Sequence, residues 1–181
     1  MQKPKLRELM INGKGLSGFE WPENCGDFDM RIARDGTWYY RNSPIGRIEL
    51  VKLFATVLQR DADGKYWLVT PVERGEIIVE DSPFVALEMQ VVIRKNKQIL
   101  RLRTNLDHWV EAGGDHPVWV VEKDNGEPIP YIHIRDGLNA RIHHNVFYQM
   151  VDVGYSKADA QGIETLYIDS GANSYRLGAL Q

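Results

Sequence analysis

The 181-residue chain contains a single cysteine, Cys25, which excludes an internal disulfide and fits a reducing compartment. No stretch approaches the run of about 20 apolar residues that a membrane-spanning helix needs. The N-terminus also lacks the apolar segment of a signal peptide. Positive charge is not in excess: 22 Lys and Arg face 25 Asp and Glu, a net charge of −3, which argues against a dedicated nucleic-acid binder. None of the five histidines stands at a spacing that matches a zinc signature. From these absences the expectation is a cytoplasmic globular protein with no nucleic-acid or membrane partner, no metal and no cofactor.

What is present is an ordinary soluble composition, 43% hydrophobic and 26% charged, enough for one compact domain or two small ones. Its most informative stretch is Ile45 to Val69, read as a helix followed by a strand. Leu50, Leu53, Phe54, Val57 and Leu58 recur at three- and four-residue spacing and predict one apolar helical face. Asp61-Ala62-Asp63-Gly64 then reads as a stop and turn. A shift of 93 positions brings up a diverged copy: Ile45 meets Leu138, Leu53 meets Val146, Phe54 meets Phe147 and Val57 meets Met150. Ahead of each helix, Trp38 aligns with Tyr131, Tyr39 with Ile132 and Tyr40 with His133. In this register Leu50 and Val51 become His143 and His144.

The predicted fold class is therefore α+β, with two tandem, similar halves. Each half is a mainly antiparallel sheet with one packed helix, in the order strand, strand, helix, strand, strand. Residues 1–24 form an N-terminal segment with a short amphipathic helix over 3–10. Residues 25–83 form the first repeat, and 84–181 a strand hairpin plus the second repeat. In that hairpin Leu100 and Leu102 alternate with Arg101 and Arg103, as in a half-buried strand.

The runs CGDFDMRIARDGTWYYRNSPIGRIELVKLF, YWLVTPVERGEIIVEDSPFVALEM, LRTN, HPVWV and PYIHIRDGLNARI resemble the bacterial domain-of-unknown-function family 1285. PIGR and VEDSPF carry the resemblance most specifically. The resemblance implies two similar α+β halves in tandem and an association with signalling or ligand sensing. It implies no activity, cofactor or catalytic residue.

The remaining motifs weigh toward structure. Gly13, Gly15 and Gly18 spell G-x-G-x-x-G, but no strand precedes and no helix follows, so a linker is the better reading. Cys25 and Ser43 lack the base and glycine context of a nucleophile. Asp27 with Asp29, and Glu73, Glu76 and Glu80 with Asp81, could do acid–base work, yet arginine partners such as Arg31 and Arg47 are the plainer account. Arg94, Lys95, Lys97, Arg101 and Arg103 read as charges guarding a sheet edge. His143 is expected as a hydrogen-bonded core residue, with a pocket shared by His143, His133 and Asp136 as the sharper alternative.

The reading that results is a non-enzymatic binding or regulatory module. A cleft between its halves would meet a small polar ligand or a protein partner through Trp38, Tyr40, Arg47, Tyr131, His133 and Arg135. No catalytic residue is assigned. The rival is a hydrolase using His133 or His143 with Asp136, with or without a metal.

Overall fold

A computed structural model describes residues 25–158 and 162–179. The helix expected over 3–10 and the glycines Gly13 to Gly18 lie outside that range, as does the side chain of Cys25. Among the described residues, fifteen strands and two helices follow one another. The chain forms two tandem domains, each with a mainly antiparallel sheet and a helix, and strand dominates both. None of the described helices is long and apolar enough to cross a membrane. By contact the described chain divides into one unit of residues 25–31 and 38–78 and another of 32–37 and 79–179.

The first unit contains β1 (Cys25–Ile32), β2 (Trp38–Tyr40), β3 (Ser43–Pro44), α1 (Ile48–Thr56), β4 (Leu58–Arg60), β5 (Tyr66–Val69) and β6 (Arg74–Val79). They make one sheet in the order β3-β2-β1-β6-β5-β4. Helix α1 is shorter than the periodicity predicts, because Leu58 to Arg60 pair as β4 with β5. Its buried face is also rotated by a residue. Val51 and Ala55 are buried while Leu53 is 39% exposed. Trp38 is 1% exposed and stacks on Phe54 with ring centroids 6.2 Å apart, so strand and helix share this contact. At the centre of the sheet Gly75 of β6 lies under the ring of Phe28 of β1. A Cβ there would come within 2.3 Å of the Phe28 Cγ.

The second unit adds β7 (Phe84–Arg94), β8 (Lys97–Thr104), β9 (Trp109–Glu111), β10 (Val118–Glu122), β11 (Pro128–Arg135), β12 (Leu138–Ile142), α2 (His144–Asp152), β13 (Tyr155–Ala158), β14 (Glu164–Ser170) and β15 (Asn173–Ala179). Six strands form a sheet in the order β10-β11-β12-β7-β8-β9, and the last three form a separate sheet. The β12–β7 pair is parallel, with Ala140 opposite Phe84. Alternation sends Leu100, Leu102, Ile132, Leu138, Ala140 and Ile142 inward, against Val146 and Met150 of α2 and Ile168 and Leu177 of the small sheet. Ser170 joins the two sheets where apolar packing alone would leave backbone groups unpaired. Its buried hydroxyl donates to the Ala112 carbonyl at 2.6 Å and accepts the Leu100 N–H at 3.0 Å.

The second helix begins at His144 rather than at Leu138, because Leu138 to Ile142 extend as β12. The buried pairs Val51 with Val146 and Ala55 with Met150 align the copies two residues away from the register expected from sequence. His143 therefore replaces no core leucine. It occupies the N-cap, as Arg47 does for α1. In the preceding strands the buried Trp38 matches the buried Ile132 rather than Tyr131, a slip of one position that exchanges the two faces.

The Gly75 contact yields a direct test. Gly75→Ala should lower the midpoint of thermal unfolding by overpacking against Phe28, at a cost of about 1–3 kcal/mol. In a Phe28→Ala background the same substitution should cost little, and equal losses in both backgrounds would show that the ring is not the cause.

Candidate functional site

The segment that opens the second unit, Val79 to Phe84, is held at every polar position. The Arg34 N–H donates to Glu80 Oε2 at 3.2 Å, and the Ser82 hydroxyl donates to the Asn139 carbonyl at 2.6 Å. Between them Asp81 extends its carboxylate toward β11 and β12. The Tyr131 hydroxyl donates to Oδ1 at 2.6 Å and Arg141 Nη1 donates to Oδ2 at 2.9 Å. The side chains of Asp81 and Arg141 are 16% and 27% exposed, so water competes weakly for this pair. Burial, reinforced by the hydrogen bond to the Asp81 carboxylate, pushes the Tyr131 phenol up to about 12, while the charges of Arg141 and Arg34 pull the other way.

Strand register sets these side chains in a row. Trp119, Tyr131 and Arg141 are direct cross-strand partners on β10, β11 and β12. They lie on the face opposite the buried Ile132 and Ala140. The rings of Trp119 and Tyr131 stack with centroids 5.7 Å apart. Asn105 braces the neighbouring strand β7 by accepting the Val85 N–H at 3.0 Å and returning its own N–H to the Val85 carbonyl at 2.8 Å. Its amide also donates to the Gly36 carbonyl at 3.2 Å. At Gly36, φ is +84° and a Cβ would lie 2.5 Å from that amide nitrogen, so both backbone and space require glycine.

Beyond Tyr131 the strand carries His133, whose two ring nitrogens are both committed. Nδ1 faces the Asp115 carbonyl at 3.0 Å and therefore carries the proton, whereas Nε2 accepts the Gly137 N–H at 3.3 Å. The His116 ring stacks near it at 6.4 Å, and His116 Nδ1 donates to the His133 carbonyl at 3.1 Å. His108 completes the group. Burial first, then the charges of His116 and Arg135, depress its pKa. Arg135 is held below the usual guanidinium range by desolvation, which its neighbour Asp136 partly offsets at 3.9 Å.

The residues named from sequence divide between the two units. Tyr131 and His133 lie on one face of β11, with Arg135 at its end. Trp38 is buried in the first unit, where Tyr40 is 47% exposed and Arg47 stands at the N-cap of α1. His143 is half-buried, its Nδ1 accepting the Asn145 N–H at 3.4 Å and its ring 4.0 Å from that of His144. No hydrogen bond or ion pair among the described residues links it to His133 or Asp136. No three metal-ligating side chains converge among the described residues either.

The charged clusters pair locally. Asp27 accepts the Asp29 N–H, and Asp29, at φ +51°, faces Arg41 rather than Arg31 or Arg47. Glu76 pairs with Lys65 at 3.2 Å. In the basic hairpin Arg94 and Arg101 meet Glu111, while Arg103 meets Glu88 and Asp107. The Asp81 partnership was not legible in the sequence. Only the specificity of the VEDSPF run marked its neighbourhood.

The family model described as "Domain of unknown function (DUF1285), N-terminal domain" matches residues 20–82, and "Protein of unknown function (DUF1285), C-terminal domain" matches residues 83–177. The chain belongs to the DUF1285 family. A DUF1285 protein from Silicibacter pomeroyi DSS-3, known from a crystal structure, is 37% identical with a TM-score of 0.78, covering 88% of this chain and 85% of its own. A second member, from Shewanella baltica OS155, shares the fold at 24% identity and a TM-score of 0.53, over 68% of this chain and 90% of its own. No curated protein matches.

Two pH responses follow from this geometry. Tyr131 is raised in the folded state, so its contribution is complete below about 10 and declines as pH climbs toward about 12. In urea titrations the stability gap between the native protein and Tyr131→Phe should be constant at neutral pH and close across that alkaline window. A gap that stays constant to pH 12 would refute a phenol raised by burial and by the Asp81 bond. His143 is depressed, first by burial and then by His144 and Arg141, so its contribution holds above the ordinary histidine pKa and is lost as pH falls. Protonation removes the Nδ1 acceptor and sets a cation at a helix N-terminus. His143→Asn, which keeps a capping oxygen, should preserve stability at neutral pH and flatten the decline toward pH 5.

Proposed function

We propose that this DUF1285 protein is a non-enzymatic binding module of the cytoplasm, with a regulatory role, which recognises a small polar ligand. The proposed organisation is two functional domains, 25–83 and 84–181, that arose by doubling a sheet-and-helix unit, preceded by the segment 1–24. One observation supports the reading above all: Asp81 pins Tyr131 and Arg141 at once, so that Trp119, Tyr131 and Arg141 stand as an ordered, half-exposed row. A binding surface held this way loses little side-chain entropy when occupied. The aromatic pair offers a flat apolar face, and the remaining donors of Arg141 suit an anionic or carbonyl group.

His133 supports binding over catalysis. Both of its nitrogens are taken by backbone groups, so accepting a proton at Nε2 would cost the bond from the Gly137 N–H, while Nδ1 stays committed to the Asp115 carbonyl. His133 and Arg135 are assigned to the rim of the same face. Tyr40 and Arg47, exposed in the first unit, are kept as the ligand contacts proposed there, and Trp38 anchors the strand of Tyr40 by its stacking on Phe54.

The test is a thermal-shift screen of the full chain against carboxylates, phosphates and nucleotides, repeated with Arg141→Lys and Trp119→Ala. A ligand should raise the unfolding temperature of the native protein and lose about 10-fold or more in affinity with either variant, about 1.4 kcal/mol. Stabilisation that is unchanged by both variants would remove this face from the site.

A further inference from the structure

A polar recess lies in the second unit, lined by none of the residues of the Asp81 row, where three turns meet. It has a volume of about 380 Å³, within the range of small-molecule sites. Lys97 and Gln98 line it from the β7–β8 hairpin, Val153 and Tyr155 from the exit of α2, and Asp169 and Gly171 from the β14–β15 turn. The three turns are tied together. The Gly171 N–H donates to the Gln98 carbonyl at 2.7 Å, and the Gln98 side-chain amide donates to the Asp169 carbonyl at 2.9 Å. The Tyr155 hydroxyl bridges Asp169 Oδ1 at 3.0 Å and the Ser174 hydroxyl at 3.1 Å. The recess therefore has a braced frame.

Arg94, Arg101 and Arg103 of the same hairpin are neutralised by carboxylates, whereas Lys95 and Lys97 form no ion pair among the described residues, and of these two Lys97 lines the recess. Asp169, which lines the recess from the β14–β15 turn, is likewise in no ion pair among the described residues. Its Oδ1 is held by Tyr155, and Oδ2 has no partner among the described residues. One ammonium and one carboxylate thus line a single recess without meeting each other. Val153 and Tyr155, each 43% exposed, supply apolar surface to the same recess.

We propose that this recess binds a small zwitterion, a molecule carrying a carboxylate for Lys97 and an ammonium for Asp169 on a short apolar spacer. Each ligand charge replaces water around a protein charge that the fold has left uncompensated. The apolar surface of Val153 and Tyr155 receives the spacer. A molecule with only one charge satisfies one wall and leaves the other solvated, so it binds far more weakly. This site is independent of the Trp119–Tyr131–Arg141 face, and either can fail without the other.

The experiment is titration of the full chain with glycine, β-alanine and γ-aminobutyrate, with butyrate and butylamine as singly charged controls, followed by amide chemical shifts. At least one zwitterion should saturate, with shifts concentrated at residues 96–98 and 169–171, while both controls stay at least 10-fold weaker. Lys97→Met and Asp169→Asn should each reduce affinity by 10-fold or more. Asp169→Asn keeps an acceptor for the Tyr155 hydroxyl, and Lys97 is exposed, so unchanged unfolding temperatures will separate lost binding from lost folding. Absence of saturation by all three zwitterions, equal binding of a control, or binding that survives both variants would overturn the proposal. So would binding abolished by Arg141→Lys but not by Lys97→Met.

Discussion

The organisation of the second unit turns on one carboxylate. Asp81 accepts a phenol from β11 and a guanidinium from β12, while the residues on either side of it hold the Arg34 amide and the Asn139 carbonyl. A carboxylate so poorly hydrated is tolerable only with compensating donors, and losing either one leaves charge stranded in a low-dielectric setting. The same contacts dictate where β7 starts. Its parallel pairing with β12 needs Phe84 opposite Ala140, and the Ser82 bond to Asn139 sets that register two residues earlier. Most family-specific residues of the VEDSPF run are thereby accounted for as structural, and their contribution to binding is to hold others still.

Charge on this unit is mostly self-cancelling. Glu111 takes a bidentate contact from Arg94, with bonds of 2.9 and 3.0 Å, and Glu88 holds Arg103 at 2.7 Å. Such pairs are too exposed to add much stability, but they neutralise three of the five cations in the hairpin. Lys97 and Asp169 fall together at the turns beside the small sheet, and the ordered aromatic and guanidinium row falls on the large one. Two surfaces of different chemistry thus belong to a single small domain.

Local chemistry made much of the fold legible. The turns at Asp35-Gly36 and Asp124-Asn125-Gly126 announce themselves by residues that tolerate positive φ, and Gly36 and Gly126 adopt +84° and +79°. Alternation in β8 places Leu100 and Leu102 at 0% exposure between arginines, as the pattern requires. Register was less legible. Trp38-Tyr39-Tyr40 carries no polar alternation, so the sequence does not say which aromatic faces inward, and the buried Trp38 matches Ile132 where the alignment expected Tyr131. Helix α2 was over-extended for a related reason, since Leu138, Ala140 and Ile142 suit a strand as well as a helix. The Asp81 contacts bridge 50 and 60 residues, and nothing in the spacing of Tyr131 or Arg141 could point to them.

The ring of Phe28 resting on the bare backbone of Gly75 also limits how this sheet can vary. A side chain at position 75 demands a smaller neighbour at 28, and a smaller residue at 28 uncovers the middle of the sheet unless something fills position 75. Neither site can drift alone without passing through a weakened intermediate. In descendants of this sequence the two should therefore be inherited as a linked pair, changing together or not at all.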